Sequence, residues 1–367
     1  MDVLLTGTGG AAGWPQPGCR CASCQHASSA ARRRKPGGVL VDGVVEFTPG
    51  QPPSMGTGSP PAAAHRIDAV PGGFDVTGPD GSRLLLAAGP GRQPQPPAGA
   101  APYDIAVLDL LDSPAQLGRL RQVGVVHPRT TVVAMYTDHR VSSVAELARR
   151  CELWQAMQGA DDQLITGNIG PHPPAVRPQR TLIVGGARSG KSTEAELRLA
   201  AEPNVTYVAA GPWQSWTGPD GQPDTEWADR VTRHRARRPS WWHTTETLDV
   251  ASQLQHSEGV LLIDGIGTWL AGVMDSAGLW QDGGSAGLGD PRPADVIRSE
   301  IDNLVRAWRQ TAALVVAVTD EAGSGLVPAY PAGRVFRDEL GWLNQRLAAE
   351  SEEVVLIVSG RVLTLPT

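Results

Sequence analysis

The sequence predicts two domains, a β-rich one followed by an α/β domain with a mostly parallel, doubly wound sheet. The chain has 367 residues, more than one hydrophobic core usually organises. Strand-like runs alternate with helix-period stretches in the second half, whereas the first half has short strands and long connections rich in proline and glycine. A proline-stiffened linker is predicted over 168–179. The predicted domains are therefore 1–167 and 180–367.

The second half is predicted to end in a hairpin after a regular β-α alternation. Its strand-like runs are short, apolar and rich in β-branched residues: 181–184, 205–209, 260–264, 314–319 and 354–358. Its helix-period stretches are 192–201, 225–238, 294–310 and 334–350. Ser359-Gly360 and the run 361–365 indicate the closing hairpin, and a glycine-rich loop is predicted at 275–293.

The first half is predicted as a small β-rich domain with a single convincing helix. The predicted strands are 3–6, 39–42, 84–87, 105–108 and 131–135, and the predicted helix is 143–158. Proline- and glycine-rich connections are expected at 48–61 and 89–102.

Composition excludes several classes of function. The net charge of −6 argues against a nucleic-acid partner held by a basic surface. No run of about 18 apolar residues is present, so no membrane span is predicted. The N-terminus lacks the basic and then apolar order of a secretory signal. We expect a cytoplasmic protein.

The stretch LIVGGARSGKSTEAE, residues 182–196, indicates a phosphate-binding loop between a strand and a helix, as in P-loop NTPases. Glycines let backbone N–H groups converge on phosphate oxygens at a helix N-terminus. Lys191 is expected on the β- and γ-phosphates, and the Ser192 hydroxyl on Mg²⁺. Lys191 is one of only two lysines among 32 basic residues. The predicted nucleotide-binding loop comprises Gly185, Gly186, Ala187, Arg188, Ser189, Gly190, Lys191 and Ser192.

Two further stretches add chemistry to this loop. Asp264 ends the apolar run GVLLIDG and is predicted to hold the same Mg²⁺, directly or through water. In EWADRVTRHRARRPSWWHTTE, residues 226–246, helical spacing puts Arg230, His234 and Arg237 or Arg238 on one face. Cationic neighbours keep an imidazole neutral, and a neutral imidazole is a nucleophile toward activated phosphorus.

Five motifs stand in the order of one known family: GGARSGKS, RVTRHRARRPSWW, LLIDGIGTWL, TDEAGSGLVP and RVFRDELGWLNQRLA. They resemble the bifunctional adenosylcobinamide kinase / adenosylcobinamide-phosphate guanylyltransferases over about residues 180–367. The resemblance implies phosphorylation of adenosylcobinamide by ATP or GTP. It then implies attack of His234 on the α-phosphorus of GTP and transfer of GMP to adenosylcobinamide phosphate. Glu246 and Glu321 are expected near the nucleotide, and a ring-like trimer is expected.

The chain departs from the family pattern at Asp320, where Asn is usual, at 265–268 and over the loop 275–293. These departures bear on corrinoid contacts and on the relative rates of the two steps. Two alternatives stay open: a P-loop kinase without guanylyl transfer, and a nucleotide-gated corrinoid-binding scaffold. The arginine-flanked His234 argues against both, because neither binding nor phosphorylation needs this nucleophile.

Three of the four cysteines cluster in PGCRCASCQHA, as Cys19, Cys21 and Cys24. In a cytoplasmic chain this spacing favours a metal over a disulfide. Tetrahedral zinc needs a fourth ligand, and the candidates are His26, His65, His127 and His139. Cys151 lies in a helix pattern and is expected to be a buried apolar residue.

The opening LLTGTGGAAGWPQPGCRCASC resembles metallo-β-lactamase-fold phosphodiesterases of the phosphonate-utilisation type. That resemblance implies a structural zinc with His139 as fourth ligand, and Tyr136 in the place of a catalytic histidine. The His-x-His-x-Asp-His motif of the fold is absent, and Asp109 is interpreted as a remnant of a metal bridge. A degenerate, non-hydrolytic domain is expected.

Overall fold

The computed structural model describes residues 1–55, 65–166, 177–211, 229, 232, 235–236, 238–279 and 291–366. The chain divides into two compact units. The first comprises Met1–Val176 with Ala200–Pro203, and the second Arg177–Leu199 with Asn204–Thr367. Within the described ranges, no helix combines the length and apolar character that a membrane span requires.

The first unit contains two sheets. One has the strand order β11-β1-β2-β3-β4 and is antiparallel, and the other has the order β10-β9-β8-β7-β6-β5. The strands are β1 (Asp2–Gly7), β2 (Gly38–Val41), β3 (Val45–Phe47), β4 (Ser54–Met55), β5 (Arg66–Val70), β6 (Gly73–Thr77), β7 (Arg83–Ala87), β8 (Ile105–Leu108), β9 (Thr131–Ala134), β10 (Met157–Gln158) and β11 (Gln163–Thr166). In the second sheet, β7 to β10 are parallel.

Alternating apolar residues of both sheets share one core, which includes Val3, Val39, Leu84, Val107 and Val133. This period of two is what buries one face of each sheet. The described part of the unit also has the α-helices α1 (Ala22–His26), α2 (Ala115–Gln122) and α3 (Val144–Trp154) and a short 3-10 helix at Ala30–Arg32. The unit is β-rich, as the sequence predicts.

The helix predicted over 143–158 is too long at its C-terminal end. It begins as expected, because the Ser143 side chain accepts a hydrogen bond from the Glu146 N–H at 3.1 Å and caps the helix. It ends at Trp154, because Gln155 adopts a left-handed conformation with φ of 52°. The next residues, Met157–Gln158, form the edge strand β10.

The second unit is a seven-stranded sheet with the order β14-β13-β15-β16-β12-β17-β18. All neighbouring strands are parallel except the last pair, β17 and β18, which form the predicted hairpin. The strands are β12 (Arg180–Gly185), β13 (Thr206–Ala209), β14 (His243–Glu246), β15 (Val260–Asp264), β16 (Leu314–Asp320), β17 (Glu353–Val358) and β18 (Arg361–Leu365).

Helices cover both faces of this sheet, so it is doubly wound. They are α4 (Lys191–Leu199), α5 (Val250–His256), α6 (Ile266–Ser276), α7 (Pro291–Gln310) and α8 (Pro331–Ala349). One core holds Leu182 and Val184 against residues of α5 to α8. The other holds Ile183 with Ala195 and Leu199 of α4. The α/β fold class predicted from the sequence is confirmed.

Three described elements of the second unit were not predicted from the sequence: β14, α5 and α6. Helix α6 extends to Ser276, so the loop predicted from 275 begins too early. Pro291 starts α7, because proline is tolerated in a first helical turn, where its missing N–H is not needed. Most of the predicted linker 168–179 and of the predicted helix 225–238 lies outside the described residues.

Candidate nucleotide site

The predicted phosphate loop joins β12 to α4 at the carboxyl end of the sheet. Gly185 ends β12, and a Cβ there would lie 2.5 Å from Ser189 Oγ and 2.9 Å from the Ile357 carbonyl oxygen, so only glycine fits. Gly190 has φ of 102°, a left-handed backbone that favours glycine. The loop therefore delivers the first N–H groups of α4 to the end of the strand, where an anion binds most readily.

The closing hairpin contacts this loop. The turn between β17 and β18 consists of Ser359 and Gly360, both left-handed. The Gly360 N–H donates to the Ser189 carbonyl at 2.8 Å. A Cβ on Gly190 would lie 3.5 Å from the Gly360 Cα. The loop is thus supported by the last two strands as well as by its own glycines.

Lys191 lies at the start of α4 with its ammonium directed back over the loop. Its Nζ donates to the Gly186 carbonyl at 3.1 Å and forms an ion pair with Asp320 Oδ1 at 2.8 Å. Lys191 is 8% exposed, whereas the Asp320 side chain is 40% exposed. The carboxylate therefore holds the ammonium from the open side, where phosphate oxygens are expected.

Ser192 and Asp264 come together although 72 positions separate them in the sequence. The Ser192 hydroxyl donates to Asp264 Oδ1 at 3.2 Å. Mg²⁺ takes oxygen ligands at about 2.1 Å in an octahedron, which puts neighbouring ligand oxygens about 3 Å apart. The pair therefore fits the predicted magnesium site in ligand type and in separation.

Two residues adjoin this pair: Tyr207, which was not predicted, and Arg238, which the sequence offers as the alternative to Arg237. The Tyr207 hydroxyl, on β13, donates to Asp264 Oδ2. The Arg238 guanidinium carbon lies 3.1 Å from the centre of the Tyr207 ring. Burial, reinforced by the charge of Asp264, raises the pKa of Tyr207 well above its usual value, so the hydroxyl stays a donor. A tyrosine in an otherwise apolar run was the available sequence signal.

Of the remaining predicted residues, the structure describes Glu246 and Glu321. Glu246 ends β14, beside Ala209 of β13, and its carboxylate pairs with Arg235. The Glu321 N–H donates to the Gly185 carbonyl at 3.1 Å, but its carboxylate accepts from the N–H groups of Gly323 and Ser324 and closes its own turn. His234, Arg230 and Arg237 lie outside the described residues.

Residues 181–365 match the family model for cobinamide kinase / cobinamide phosphate guanyltransferase, CobU. This match covers half of the chain. The chain belongs to this family.

Three relatives align with the same half. The bifunctional adenosylcobalamin biosynthesis protein CobU of Escherichia coli is 35% identical over 189 residues, which is 49% of this chain and 95% of that protein. CobU of Salmonella typhimurium is 36% identical, with 49% and 95% coverage. CobP of Pseudomonas aeruginosa is 35% identical, with 49% and 94% coverage. The CobU match therefore leaves the first unit without a counterpart in these relatives.

The first unit brings together the cysteine-rich segment and His139. One ligand atom from each of Cys19, Cys24 and His139 lies within 4.8 Å of the others. Cys21 adjoins them, because its Sγ accepts from the Cys24 N–H at 3.5 Å. Tetrahedral zinc with sulfur ligands at 2.3 Å spaces them about 3.8 Å apart, so Cys19, Cys24 and His139 suit a shared zinc in ligand type and in separation. Cys151 is buried on α3, where the sequence places an apolar residue.

A second cluster of the first unit surrounds Arg140, just after β9. Its guanidinium pairs with Asp109 at 2.8 Å, Asp112 at 2.6 Å and Asp138 at 2.8 Å. Asp109 also accepts from the Gly91 N–H at 2.6 Å. Burial raises the pKa of Asp109. These three carboxylates, which include the predicted remnant of a metal bridge, are thus all paired with one side chain.

Tyr136 occupies the position for which a catalytic histidine was expected in the resembling phosphodiesterases. Its ring is 2% exposed and its hydroxyl donates to the Ala87 carbonyl at 2.8 Å. Its backbone is left-handed, with φ of 64°. Tyr136 is therefore a packed residue that closes the end of β7.

Proposed function

We propose that the chain phosphorylates adenosylcobinamide with ATP or GTP and then transfers GMP from GTP to adenosylcobinamide phosphate, giving adenosyl-GDP-cobinamide. The arrangement of Lys191, Ser192 and Asp264 around a phosphate loop, in a chain of the CobU family, carries this proposal. Both reactions use one nucleotide site. They differ in which phosphorus atom is attacked.

In the first reaction the hydroxyl oxygen of the aminopropanol arm attacks the γ-phosphorus and loses its proton to solvent. The nucleoside diphosphate leaves with the electron pair of the broken P–O bond. Lys191 is held at the loop and can move from Asp320 to the β- and γ-phosphates, because the ammonium is a point charge on a flexible stem. Ser192 and Asp264 would hold Mg²⁺, which when bound neutralises phosphate charge. The N–H groups at the start of α4 stabilise the charge that develops on the phosphoryl oxygens.

In the second reaction an imidazole nitrogen of His234 attacks the α-phosphorus of GTP, and pyrophosphate leaves with the electron pair of the broken bond. An oxygen of adenosylcobinamide phosphate then attacks the guanylyl-histidine and releases the imidazole. Two displacements replace one difficult transfer between two anions. Arg238 lies four residues beyond His234 in the sequence, and its guanidinium contacts the ring of Tyr207, whose hydroxyl donates to Asp264. We propose Arg230, Arg237, Glu246 and Glu321 as further contacts.

The test uses the full chain with Mg²⁺ and GTP labelled at the α-phosphate. We expect label on the protein that is lost in acid and retained in alkali, as a phosphoramidate behaves. His234→Ala should carry none. His256→Ala is the matched control, because His256 is exposed on α5 and bonds only within its own helix among the described contacts. Label that survives in His234→Ala would contradict the covalent histidine.

Labelling at the γ-phosphate separates the alternatives. Phosphorylation of adenosylcobinamide without GMP transfer would identify a kinase that has lost the second reaction. Nucleotide binding without either transfer would identify a nucleotide-gated corrinoid-binding scaffold. By resemblance to the family we also propose a homo-oligomer, a trimer, which light scattering would report.

We further propose residues 1–167 as a degenerate metallo-β-lactamase-like domain with a structural zinc, joined to residues 180–367 by the linker 168–179. Cys19, Cys21, Cys24 and His139 would hold the ion. Metal analysis should find about one zinc per chain. Cys24→Ser should lose it, and Cys151→Ser, the matched control, should keep it. A chain without zinc whose three clustered thiols all titrate would refute this proposal.

A further inference from the structure

Asp264 is held at both carboxylate oxygens by side chains from two different elements. Oδ1 accepts from Ser192 of α4, and Oδ2 accepts from Tyr207 of β13. A carboxylate bound at one oxygen rotates about its Cβ–Cγ bond and offers either oxygen to a metal. A second donor removes that freedom and leaves Oδ1 directed toward Ser192.

Tyr207 is itself rigid. Its side chain is 2% exposed and packs in the core with Ala195, Leu262 and Val316. The strands β13 and β15 are in parallel register, which pairs Ala209 with Asp264 and sets Tyr207 two residues back from the edge. The ring spans this offset along the sheet. The hydroxyl therefore reaches Asp264 from a fixed position that solvent does not disturb.

Arg238 covers the other face of this arrangement. Its guanidinium carbon lies 3.1 Å from the centre of the Tyr207 ring, and its buried Nε has no hydrogen-bond acceptor among the described residues. A cation over the ring withdraws electron density and makes the hydroxyl a better donor. Arg238 is thus linked to the carboxylate of Asp264 through one aromatic ring.

We propose that Tyr207 is the positioning residue of the metal-binding carboxylate, with Arg238 as the cation that holds its ring, so that one contact prepares the metal site for both reactions. This inference rests on the proposed function for its two reactions. Tyr207 is buried in the core beneath the site. It acts by fixing the oxygen that Asp264 presents to the metal.

The first unit contains a trio of the same residue types that serves as an internal control. The Tyr103 hydroxyl donates to Asp75 Oδ2 at 2.9 Å, and the Arg83 guanidinium carbon lies 4.3 Å from the Tyr103 ring centre. Arg83 also pairs with Asp75 at 2.6 Å, so this carboxylate is neutralised. Tyr103→Phe removes the same kind of hydrogen bond from a carboxylate without a role in the nucleotide site.

The experiment measures Mn²⁺ affinity by electron paramagnetic resonance, with the full chain and GDP. Mn²⁺ takes the oxygen ligands that Mg²⁺ takes. Removing a partner of a metal-binding group typically weakens metal binding at least about tenfold, so we expect that loss in Tyr207→Phe. Tyr103→Phe should bind Mn²⁺ as the natural chain does, and Asp264→Asn should show the largest loss. Equal affinity in Tyr207→Phe and the natural chain would overturn the inference.

Mn²⁺ affinity can be measured without any group transfer. The experiment therefore tests the positioning role of Tyr207 separately from the proposed function. Weaker Mn²⁺ binding in Tyr207→Phe, together with an unlabelled His234, supports the positioning role and refutes guanylyl transfer. Labelled His234, together with unchanged Mn²⁺ affinity in Tyr207→Phe, supports guanylyl transfer and refutes the positioning role.

A second measurement covers the case in which Tyr207→Phe does not fold. The chain has four tyrosines, so ¹³Cζ-tyrosine labelling gives four resonances. Phe variants of Tyr103, Tyr136 and Tyr330 assign three of them, and the fourth belongs to Tyr207. Adding Mg²⁺ to the GDP complex should shift the Tyr207 signal and leave that of Tyr103 in place. A Tyr207 signal that does not respond to Mg²⁺ would refute the positioning role.

Discussion

The two units place carboxylates at the carboxyl ends of parallel strands, yet they oppose them with different cations. In the first unit, Arg140 holds Asp109, Asp112 and Asp138 at once. In the second, Lys191 forms its ion pair with one carboxylate among the described residues, that of Asp320. A guanidinium is a planar fork of five donors that satisfies several carboxylates permanently, whereas an ammonium exchanges partners easily. The carboxyl ends of the parallel strands therefore carry a fixed ion-pair cluster in the first unit and a cation that can change partners in the second.

The largest effect is expected when the exchangeable cation is removed. Lys191→Met should lower the rate of phosphoryl transfer by about 10²–10³-fold, because a charged donor to the transferring phosphate is lost. Lys35→Met is the matched control, since Lys35 is the only other lysine and forms a surface ion pair with Asp162. Initial rates with γ-labelled nucleotide measure both. A Lys191→Met variant with the natural rate would contradict the placement of the nucleotide.

Removing the permanent cation should affect stability instead. Arg140→Met leaves Asp109, whose side chain is 1% exposed, without its counter-ion and should destabilise the first unit by about 3 kcal/mol. Hydrogen exchange of the β8 and β9 peptides measures this. Arg66→Met, which breaks the exposed pair with Asp68, should change stability by less than about 1 kcal/mol. Nucleotide transfer should not change in either variant.

The Arg140→Met deficit should depend on pH. Burial raises the pKa of Asp109, and loss of the guanidinium raises it further, because Arg140 lowers it in the natural chain. A carboxyl whose folded-state pKa exceeds its unfolded value opposes folding when it is ionised. The loss of unfolding free energy in Arg140→Met is therefore largest above the pKa of Asp109 in the folded variant, and it shrinks as the pH falls through that pKa. A deficit that grows on acidification would contradict this account.

The smallest effect concerns the anion that faces Lys191. Asp320→Asn keeps the shape of the side chain and removes its charge, so a nucleotide no longer displaces a carboxylate from the ammonium. We expect GTP to bind about two- to fivefold more tightly, which is the scale of a partly exposed ion pair. Isothermal titration without Mg²⁺ measures it, and Asp338→Asn on α8 is the control. Weaker binding would show that Asp320 supports the nucleotide.

The fold of the second unit was predictable because its hydrophobic periodicity agrees with the positions of its turn-forming residues. The strands that hold Leu182, Leu262 and Val316 are continuous apolar runs, typical of strands buried on both faces. β14 was missed because HTTE has no apolar residue and follows two tryptophans. Helix α6 was missed because glycines at 267 and 272 weaken its helical pattern. At Gly267 a Cβ would lie 2.8 Å from Asp320 Oδ2, so packing decides that glycine.

The candidate site was predictable where its residues are adjacent in sequence. Gly185 to Ser192 form one local motif, and the carboxylate at the end of β15 follows from the rule that strand ends meet at one edge. Tyr207 was not predictable, because its role depends on how far a ring reaches across two strands in register. Arg140 was missed for the same reason, since its three carboxylates come from two separate stretches of the chain.

The contact between Gly360 and Ser189 has a consequence for how the protein is made. During synthesis a ribosome releases the phosphate loop long before it releases the hairpin that supports it. Until β17 and β18 join the sheet, the loop lacks that support, and its glycines leave its backbone conformationally flexible. GTP binding should therefore appear only after β17 and β18 have been synthesised and have joined the sheet.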